Sequence, residues 1–289
     1  MTAAVSTFRL DLRQCIKLVV YALLLVNFAL YIADDLHFAS YTMRNGGSFL
    51  QWTAAFATTI DEAAWFILLF LFELETYVLS DDAFEKPWVA RLLHGVRLIC
   101  YLSLAHSVYA FGHIYLELMQ VTTVAGITEL CQLVAPDVSF VRNLAYTELT
   151  MGNCEALSSA TQFYYVEPGL VMTDASGLAL ERALALVDVL EVITWMAILF
   201  TIEVMVRLQE RGITRGHLVS VIKACKFLLY SCLWGAATFW VYHGHYYYAW
   251  DEALWIIGFF AIEMNVQEWK NEIESEQSKE GGGIGAADK

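Results

Sequence analysis

The stretch that decides the fold is Asp61–Glu73, DEAAWFILLFLFE, because its pattern returns twice along the chain. Glu191–Glu203 reads EVITWMAILFTIE, and Asp251–Glu263 reads DEALWIIGFFAIE. All three fit D/E-x3-W-x4-F-x2-E without a gap, which favours one internally repeated helix. The shared aromatic residues are Trp65, Trp195 and Trp255, with Phe70, Phe200 and Phe260.

A weaker repeat precedes each of these stretches. Lys17, Arg97 and Lys226 each stand four residues before a tyrosine. The repeated unit is therefore predicted to be a helical hairpin, with a base near one end of its first helix and a Glu near the same end of its second. This predicts three ion pairs at similar depth, formed within a hairpin or between neighbouring hairpins. The expected partners are Lys17 with Glu73, Arg97 with Glu203, and Lys226 with Glu263.

The composition is that of a membrane protein. Of 289 residues, 58% are hydrophobic and 17% are charged, against about 45–50% and 25% in soluble domains. Runs of about 20 apolar residues can cross a bilayer, and we predict an all-α integral membrane protein with six transmembrane helices. The predicted spans are 15–34, 58–79, 95–117, 184–206, 223–243 and 249–267. Ser48 with Gln51, and Ser176, are predicted helix starts that precede the second and fourth spans.

The six spans divide into three pseudo-repeated hairpins. They occupy residues 1–79, 80–211 and 212–270, and an extracytoplasmic loop domain near 118–180 is inserted between helices 3 and 4. Residues 271–289 are predicted to be a disordered acidic cytoplasmic tail. Within the inserted loop, Cys131 and Cys154 would face an oxidising compartment, which predicts a disulfide.

The charge distribution predicts the orientation. With both termini in the cytoplasm, all but three of the 17 Lys and Arg residues lie inside, as the positive-inside rule requires. The outer side then holds just over half of the 31 acidic residues and nearly all of the net charge. The predicted location is the inner or plasma membrane. The net charge of −14 argues against nucleic acid as a partner and favours inorganic cations beside the lipid bilayer.

The repeated acids have two interpretations at each end of the helices. At the inner end, Glu73, Glu203 and Glu263 form either an acidic ring along a cation path or ion pairs that fix helix packing. At the outer end the acids form either a cation-attracting vestibule or favourable charges at helix N-termini. The outer set consists of Asp61, Glu62, Glu191, Asp251 and Glu252. The repeated tryptophans either line a path or pack as anchors.

Histidines suggest a third kind of site. His106, His113 and Glu117 share one face of a helix, and the last two have a spacing that suits a shared metal or a hydrogen bond. Other histidines and acids stand at the outer turns of the first and third hairpins. A speculative outer site for a divalent metal would comprise His113, Glu117, His243, His245, Asp34, Asp35 and His37.

The predicted function is a membrane cation channel or transporter, either within one chain or as a homo-oligomer. One alternative is a non-transporting structural or accessory subunit of a membrane complex, and another is a metal-binding membrane protein. The sequence has no GxSxG, HExxH, GxGxxG or phosphate-binding glycine loop, which argues against an enzyme.

Overall fold

The structure, a computed structural model, describes residues 12–75, 86–135, 137–213 and 215–260. Two compact units are present. The first joins Met1–Asn27 with Ala237–Lys289, and the second is Phe28–Ala236. The tail predicted at 271–289 and the repeated Glu263 lie outside the described residues.

Most of the chain is helical. We number the helices α1 to α8 in chain order. The helices are α1 Leu12–Thr42, α2 Phe49–Ala55, α3 Ala57–Glu73, α4 Pro87–Met119, α5 Cys154–Leu157, α6 Ala175–Glu210, α7 His217–Tyr242 and α8 at 246–260.

Four of these helices are long and apolar enough to cross a membrane. They include Lys17–Thr42, Pro87–Met119, Ala175–Gln209 and His217–Tyr242, and the bent pair α2–α3 adds a fifth if it counts as one span. The protein is therefore a membrane protein by the length and composition of its helices. The described residues do not confirm the predicted arrangement of six spanning helices.

The bend between α2 and α3 has a local cause. Ser48 begins α2 as predicted, since its hydroxyl accepts the Gln51 N–H while the Gln51 side chain accepts the Ser48 N–H at 2.8 Å, a capping box. Phe56 then leaves the helical conformation, and the two axes differ by 71°. Phe56 offers no side-chain cap. Instead, Asp35 of α1 accepts the Thr59 N–H in the first turn of α3 at 2.9 Å.

The inserted domain contains a sheet, so the all-α prediction is wrong for this part of the chain. Five strands lie in the order β1-β4-β5-β2-β3, with β2 and β5 parallel and the other pairs antiparallel. The strands are β1 Thr122–Thr123, β2 Ser139–Arg142, β3 Ala145–Glu148, β4 Phe163–Glu167 and β5 Val171–Asp174. They have two to five residues each, too few for a clear period-two pattern.

A small apolar core holds the sheet domain together. Leu130, Phe140, Phe163 and Met172 are each at most 2% exposed and pack in one cluster. The disulfide Cys131–Cys154 lies at the edge of this cluster, since Cys154 is buried within it and Cys131 packs against it. A second small cluster of Val141, Leu170 and Val171 is also buried. Cores of this size give a small domain limited stability, and the disulfide adds to it.

The sheet joins α6 through Asp174, which ends β5 and caps the helix. Ser176, the predicted helix start, is already inside α6 and bonds to this cap. Asp174 accepts hydrogen bonds from the Gly177 N–H at 2.7 Å and from the hydroxyls of Ser158 and Ser176 at 2.6 and 2.7 Å. Burial alone would raise its pKa, but these bonds and the nearby Arg142 charge hold the pKa below its ordinary value of 3.8.

The substitution Asp174→Asn is expected to destabilise the protein by about 1–3 kcal/mol at pH 7, because a charged acceptor with several donors is lost. The folded-state pKa of Asp174 is depressed, so its contribution is complete above the ordinary pKa and is lost as the pH falls through the folded value. The difference in thermal midpoint from wild type should therefore shrink between pH 7 and pH 3. Asp137→Asn, at a side chain 75% exposed, is the matched control. An equal effect of both variants would refute this role.

Candidate cation site

The repeated aromatic positions have the same surroundings in all three stretches. Trp65, Trp195 and Trp255 are 6%, 8% and 5% exposed, whereas Phe70, Phe200 and Phe260 are 66%, 68% and 62% exposed. The five-residue spacing therefore turns each tryptophan inward and each phenylalanine outward. This equivalence shows that the repeated pattern sets which face of each helix is buried.

The acid that opens the first repeat bonds to the tryptophan one turn later. Trp65 Nε1 donates to Asp61 Oδ2 at 3.1 Å, so the D-x3-W spacing forms a hydrogen bond within the helix. Trp65 also meets Trp195 edge to face, with ring centroids 5.9 Å apart. Both indoles are buried, which favours the packing interpretation of these residues. The acids Asp61 and Glu191 each lie one turn before a packed indole.

The third repeat belongs to the other unit and is described by itself. Asp251 and Glu252 are 5% and 7% exposed. Asn27 Nδ2 donates to Asp251 Oδ1 at 2.9 Å in a buried contact. An amide from α1 thus satisfies one oxygen of this carboxylate without neutralising its charge.

At the other end of the repeats, ion pairs are present, but Arg97 has a different partner from the predicted one. Its Nη2 lies 2.7 Å from a Glu75 oxygen, and Arg207 binds Glu203 one turn away at 2.8 Å. The expected pair of Arg97 with Glu203 is therefore not formed. Lys17, Glu73 and Lys226 are half-buried, and Glu263 is outside the described residues.

The predicted outer metal site is not supported by the described residues, among which no three His, Cys, Asp or Glu side chains form a group that could hold a metal ion. His113 Nδ1 lies 3.3 Å from Glu117 Oε2, a pair without a third ligand. His37 packs on Tyr41, and Asp35 caps α3. Asp34 is half-buried, and His243 and His245 pack on neighbouring aromatic rings.

Glu181, in the second turn of α6, binds the backbone of the β2–β3 turn and so links the sheet to this helix. The β2–β3 turn places Asn143 and Leu144 at φ of 56° and 58°, a left-handed conformation that is unfavourable for leucine. The Leu144 N–H donates to Glu181 Oε1 at 3.2 Å, and Glu181 is 5% exposed. We call the end of the helices that meets this turn the sheet end.

Asp188 lies seven residues after Glu181 and therefore on the same face of α6. It is half-buried, and the residues around it read ALALVDVLEV. No hydrogen bond or ion pair joins Asp188 to any residue in the described ranges, and the charge of Glu181 acts on it. A carboxylate of this kind within a membrane-length helix is costly and commonly functional.

A contact between α4 and α6 gives the depth of Asp188. Arg182 Nε donates to the Leu118 carbonyl at 2.9 Å. Asp188 lies six residues after Arg182 on α6, and Gly112 lies six residues before Leu118 on the antiparallel α4. Six helical residues span about 9 Å, so Asp188 lies at the level of Gly112 and next to that of His113. Asp188 thus lies below the sheet, inside the apolar part of both helices.

The basic residues near the sheet bind other groups. Arg44 lies 3.0 Å from Glu148 and 3.8 Å from Asp137, and Arg142 lies 3.7 Å from Asp174. Arg182 binds the backbone of α4. Among the described residues, no base therefore pairs with Glu181 or Asp188 on this face of α6.

Glu181 and Asp188 are absent from the predicted site residues, although the sequence contains a signal for one of them. Asp188 falls inside the span predicted at 184–206, where a charged side chain is itself an indication of function. The repeated pattern instead indicates Glu191, three residues after Asp188. Glu181 lies outside that span, and its bond to a turn of the sheet has no sequence signature.

No family model matches this chain, and neither the curated proteins nor the solved structures include a detectably similar one. The candidate site is therefore defined by its own geometry.

Proposed function

We propose that the protein is a membrane cation channel or transporter and that Asp188 is its principal cation-binding group. The observation that carries the proposal is a half-buried carboxylate, within an apolar membrane-length helix, that no described residue neutralises. A cation, whether a proton or a metal ion, would supply the missing positive charge.

Further acids at the sheet end support the proposal. Asp35 and Glu62 are 4% and 7% exposed, and Asp61 and Glu191 are half-buried. These carboxylates create a negative potential that raises the local concentration of cations. Since the described bases near the sheet bind other groups, little within the described residues opposes this potential.

The paired indoles favour a gated mechanism over a permanently open pore. Trp65 and Trp195 pack against each other one turn beyond Asp61 and Glu191. A cation that passes between α3 and α6 would have to displace this contact. A transport cycle would then alternate between binding at Asp188 and movement of the indole pair.

The test is transport by Asp188 variants in sealed liposomes with outward and inward gradients of H⁺, Na⁺, K⁺ and Mg²⁺. Asp188→Asn should reduce flux of the transported ion at least about tenfold, because loss of a binding charge at a membrane site costs a kcal/mol or more. Asp188→Glu should retain part of the flux. Glu129→Gln, an exposed acid of the sheet domain, should leave it unchanged.

A binding measurement covers the case of a closed gate. An ion that binds the folded protein raises its thermal midpoint, and this rise should be present in wild type and absent in Asp188→Asn. Absence of both flux and an ion-dependent midpoint in the wild-type protein would rule the proposal out. So would equal behaviour of a folded Asp188→Asn variant.

A specific observation supports the non-transporting alternative. Asp61, Asp251, Glu75 and Glu203 all bond to neighbouring side chains, as expected of charges that only fix helix packing in a structural or accessory subunit. Asp188 discriminates between the two functions, because no bond within the described residues gives it a structural role. In an accessory subunit, Asp188→Leu should be neutral or stabilising.

A further inference from the structure

Basic side chains are concentrated at the end of the helices opposite the sheet. Arg211 is exposed in the turn between α6 and α7, and His217 and Lys223 are exposed in the first two turns of α7. Arg91 of α4 is also exposed and, by the register of α4 with α6, lies at the level of Gln209. We call these four residues, Arg91, Arg211, His217 and Lys223, the basic belt.

The belt is not neutralised by nearby acids that the structure describes. Glu75 binds Arg97 and Glu203 binds Arg207, so the two described pairs at this end use other bases. Arg211 and Lys223 form no ion pair with a described residue. Among the described residues, the belt therefore carries a net positive charge.

The turn holds this charge in a fixed geometry. Gly212 adopts φ of 74°, its N–H donates to the Gln209 carbonyl at 2.8 Å, and the Ile213 N–H donates to the Leu208 carbonyl at 2.9 Å. These two bonds form a Schellman motif, which ends α6 and orders the residues that follow. Arg211 precedes the glycine directly, so its backbone position is fixed by the same motif.

Apolar side chains lie among the basic ones and are also exposed. Ile213, Leu218 and Val221 are 43%, 54% and 42% exposed. Leu218 and Val221 belong to the first turns of the membrane-length helix α7, and Ile213 lies in the turn just before it. At the end of such a helix the hydrocarbon region gives way to headgroups. A surface that alternates cations with apolar side chains at this depth matches a lipid with an anionic headgroup.

We propose that the basic belt binds anionic phospholipids of the adjacent leaflet, through headgroup phosphate at Arg211 and Lys223 and acyl chains beside Ile213 and Leu218. This inference is independent of the proposed transport function. An acidic segment of the chain itself, residues 271–289, is also charged but contains only two large apolar residues, Ile273 and Ile284. The exposed apolar residues therefore favour a lipid over this segment.

The probe is dioleoyl phosphatidylglycerol, compared with dioleoyl phosphatidylcholine, bound to the full-length protein in mild detergent and counted by native mass spectrometry. Phosphatidylglycerol should bind more tightly than phosphatidylcholine. Arg211→Gln with Lys223→Gln should weaken phosphatidylglycerol binding on the order of tenfold or more, since each base near a membrane surface contributes about fivefold. Phosphatidylcholine binding should not change, and Arg211→Lys should retain most of the affinity.

Two controls separate the lipid from other anions. Arg142→Gln removes a base that is 51% exposed on the sheet domain and should leave lipid binding unchanged. Inorganic phosphate should not displace bound phosphatidylglycerol at millimolar concentration. Equal binding of the two lipids, equal loss in Arg142→Gln, or displacement by phosphate would overturn the proposal. So would a preference for phosphatidylglycerol that arises only when residues 271–289 are deleted, which would identify the acidic segment as the occupant.

Discussion

Replacement of Cys131 and Cys154 together by serine is expected to destabilise the sheet domain by about 3 kcal/mol, the chain-entropy value for a closed loop of this size. The two cysteines are 23 residues apart. The loss is large for this domain because its core is small, with Leu130, Phe140 and Phe163 as its most deeply buried large side chains. With few apolar contacts to compensate, local unfolding of the insert should become measurable.

Chymotrypsin cleavage measures this effect, since the strands contain several aromatic residues that are protected while the sheet is folded. Local opening by 3 kcal/mol corresponds to cleavage faster by on the order of 100-fold. Cys225→Ser with Cys232→Ser is the matched control, because these free thiols are exposed on α7 and should not alter cleavage. If the disulfide variant resisted chymotrypsin as well as wild type does, the core alone would suffice to hold the sheet.

The separation of the repeated aromatic residues onto different helix faces follows from sequence, because helical periodicity fixes it, but the periodicity does not say which face is buried. The five-residue separation of Trp65 and Phe70 puts them on different faces, and the structure buries one and exposes the other. The helix start at Ser48 could also be predicted from sequence, because a capping box is a local interaction between residues three apart.

The sheet and the partners of the charged residues could not be predicted from sequence, because both depend on contacts between residues far apart in the chain. Strand β2 pairs in parallel with β5, about thirty residues later, and a four-residue strand leaves no periodic trace. Glu181 binds a turn 37 residues away. The start of α6 was misplaced by two residues for the opposite reason, since both Asp174 and Ser176 are good N-cap residues and only the tertiary bonds of Asp174 decide between them.

The Trp65–Trp195 contact links the repeat to the proposed function. Because each repeated acid precedes its tryptophan by one turn, carboxylates and indoles form successive levels along α3 and α6. Asp188, which has no counterpart in the repeat, lies one turn above Glu191 toward the sheet end. The repeated levels would then provide the barrier, and the unrepeated acid would provide the ion-binding charge.

Mutation of Arg97 and Glu75 in a double-mutant cycle is expected to give a coupling free energy of about 1–3 kcal/mol, because both Glu75 oxygens accept from Arg97 Nη2 at 2.7 and 2.8 Å and the pair is partly buried. Arg97→Gln and Glu75→Gln should each lower the detergent denaturation midpoint, and the double variant should lower it by less than the sum. The corresponding cycle of Arg97 with Glu203 should give less than about 0.5 kcal/mol, since Glu203 binds Arg207 and its side chain is 45% exposed.

The comparison of these two cycles also tests whether the repeated glutamates act as one ring. A ring requires Glu73, Glu203 and Glu263 to have equivalent partners, yet Glu203 bonds within its own helix while Arg97 binds Glu75, which is not a repeated residue. Strong coupling of Arg97 to Glu203 would restore the symmetric arrangement and the inner acids as a cation path. Strong coupling to Glu75 alone would assign this end of the helices to packing and leave Asp188 as the acid on which cation transport depends.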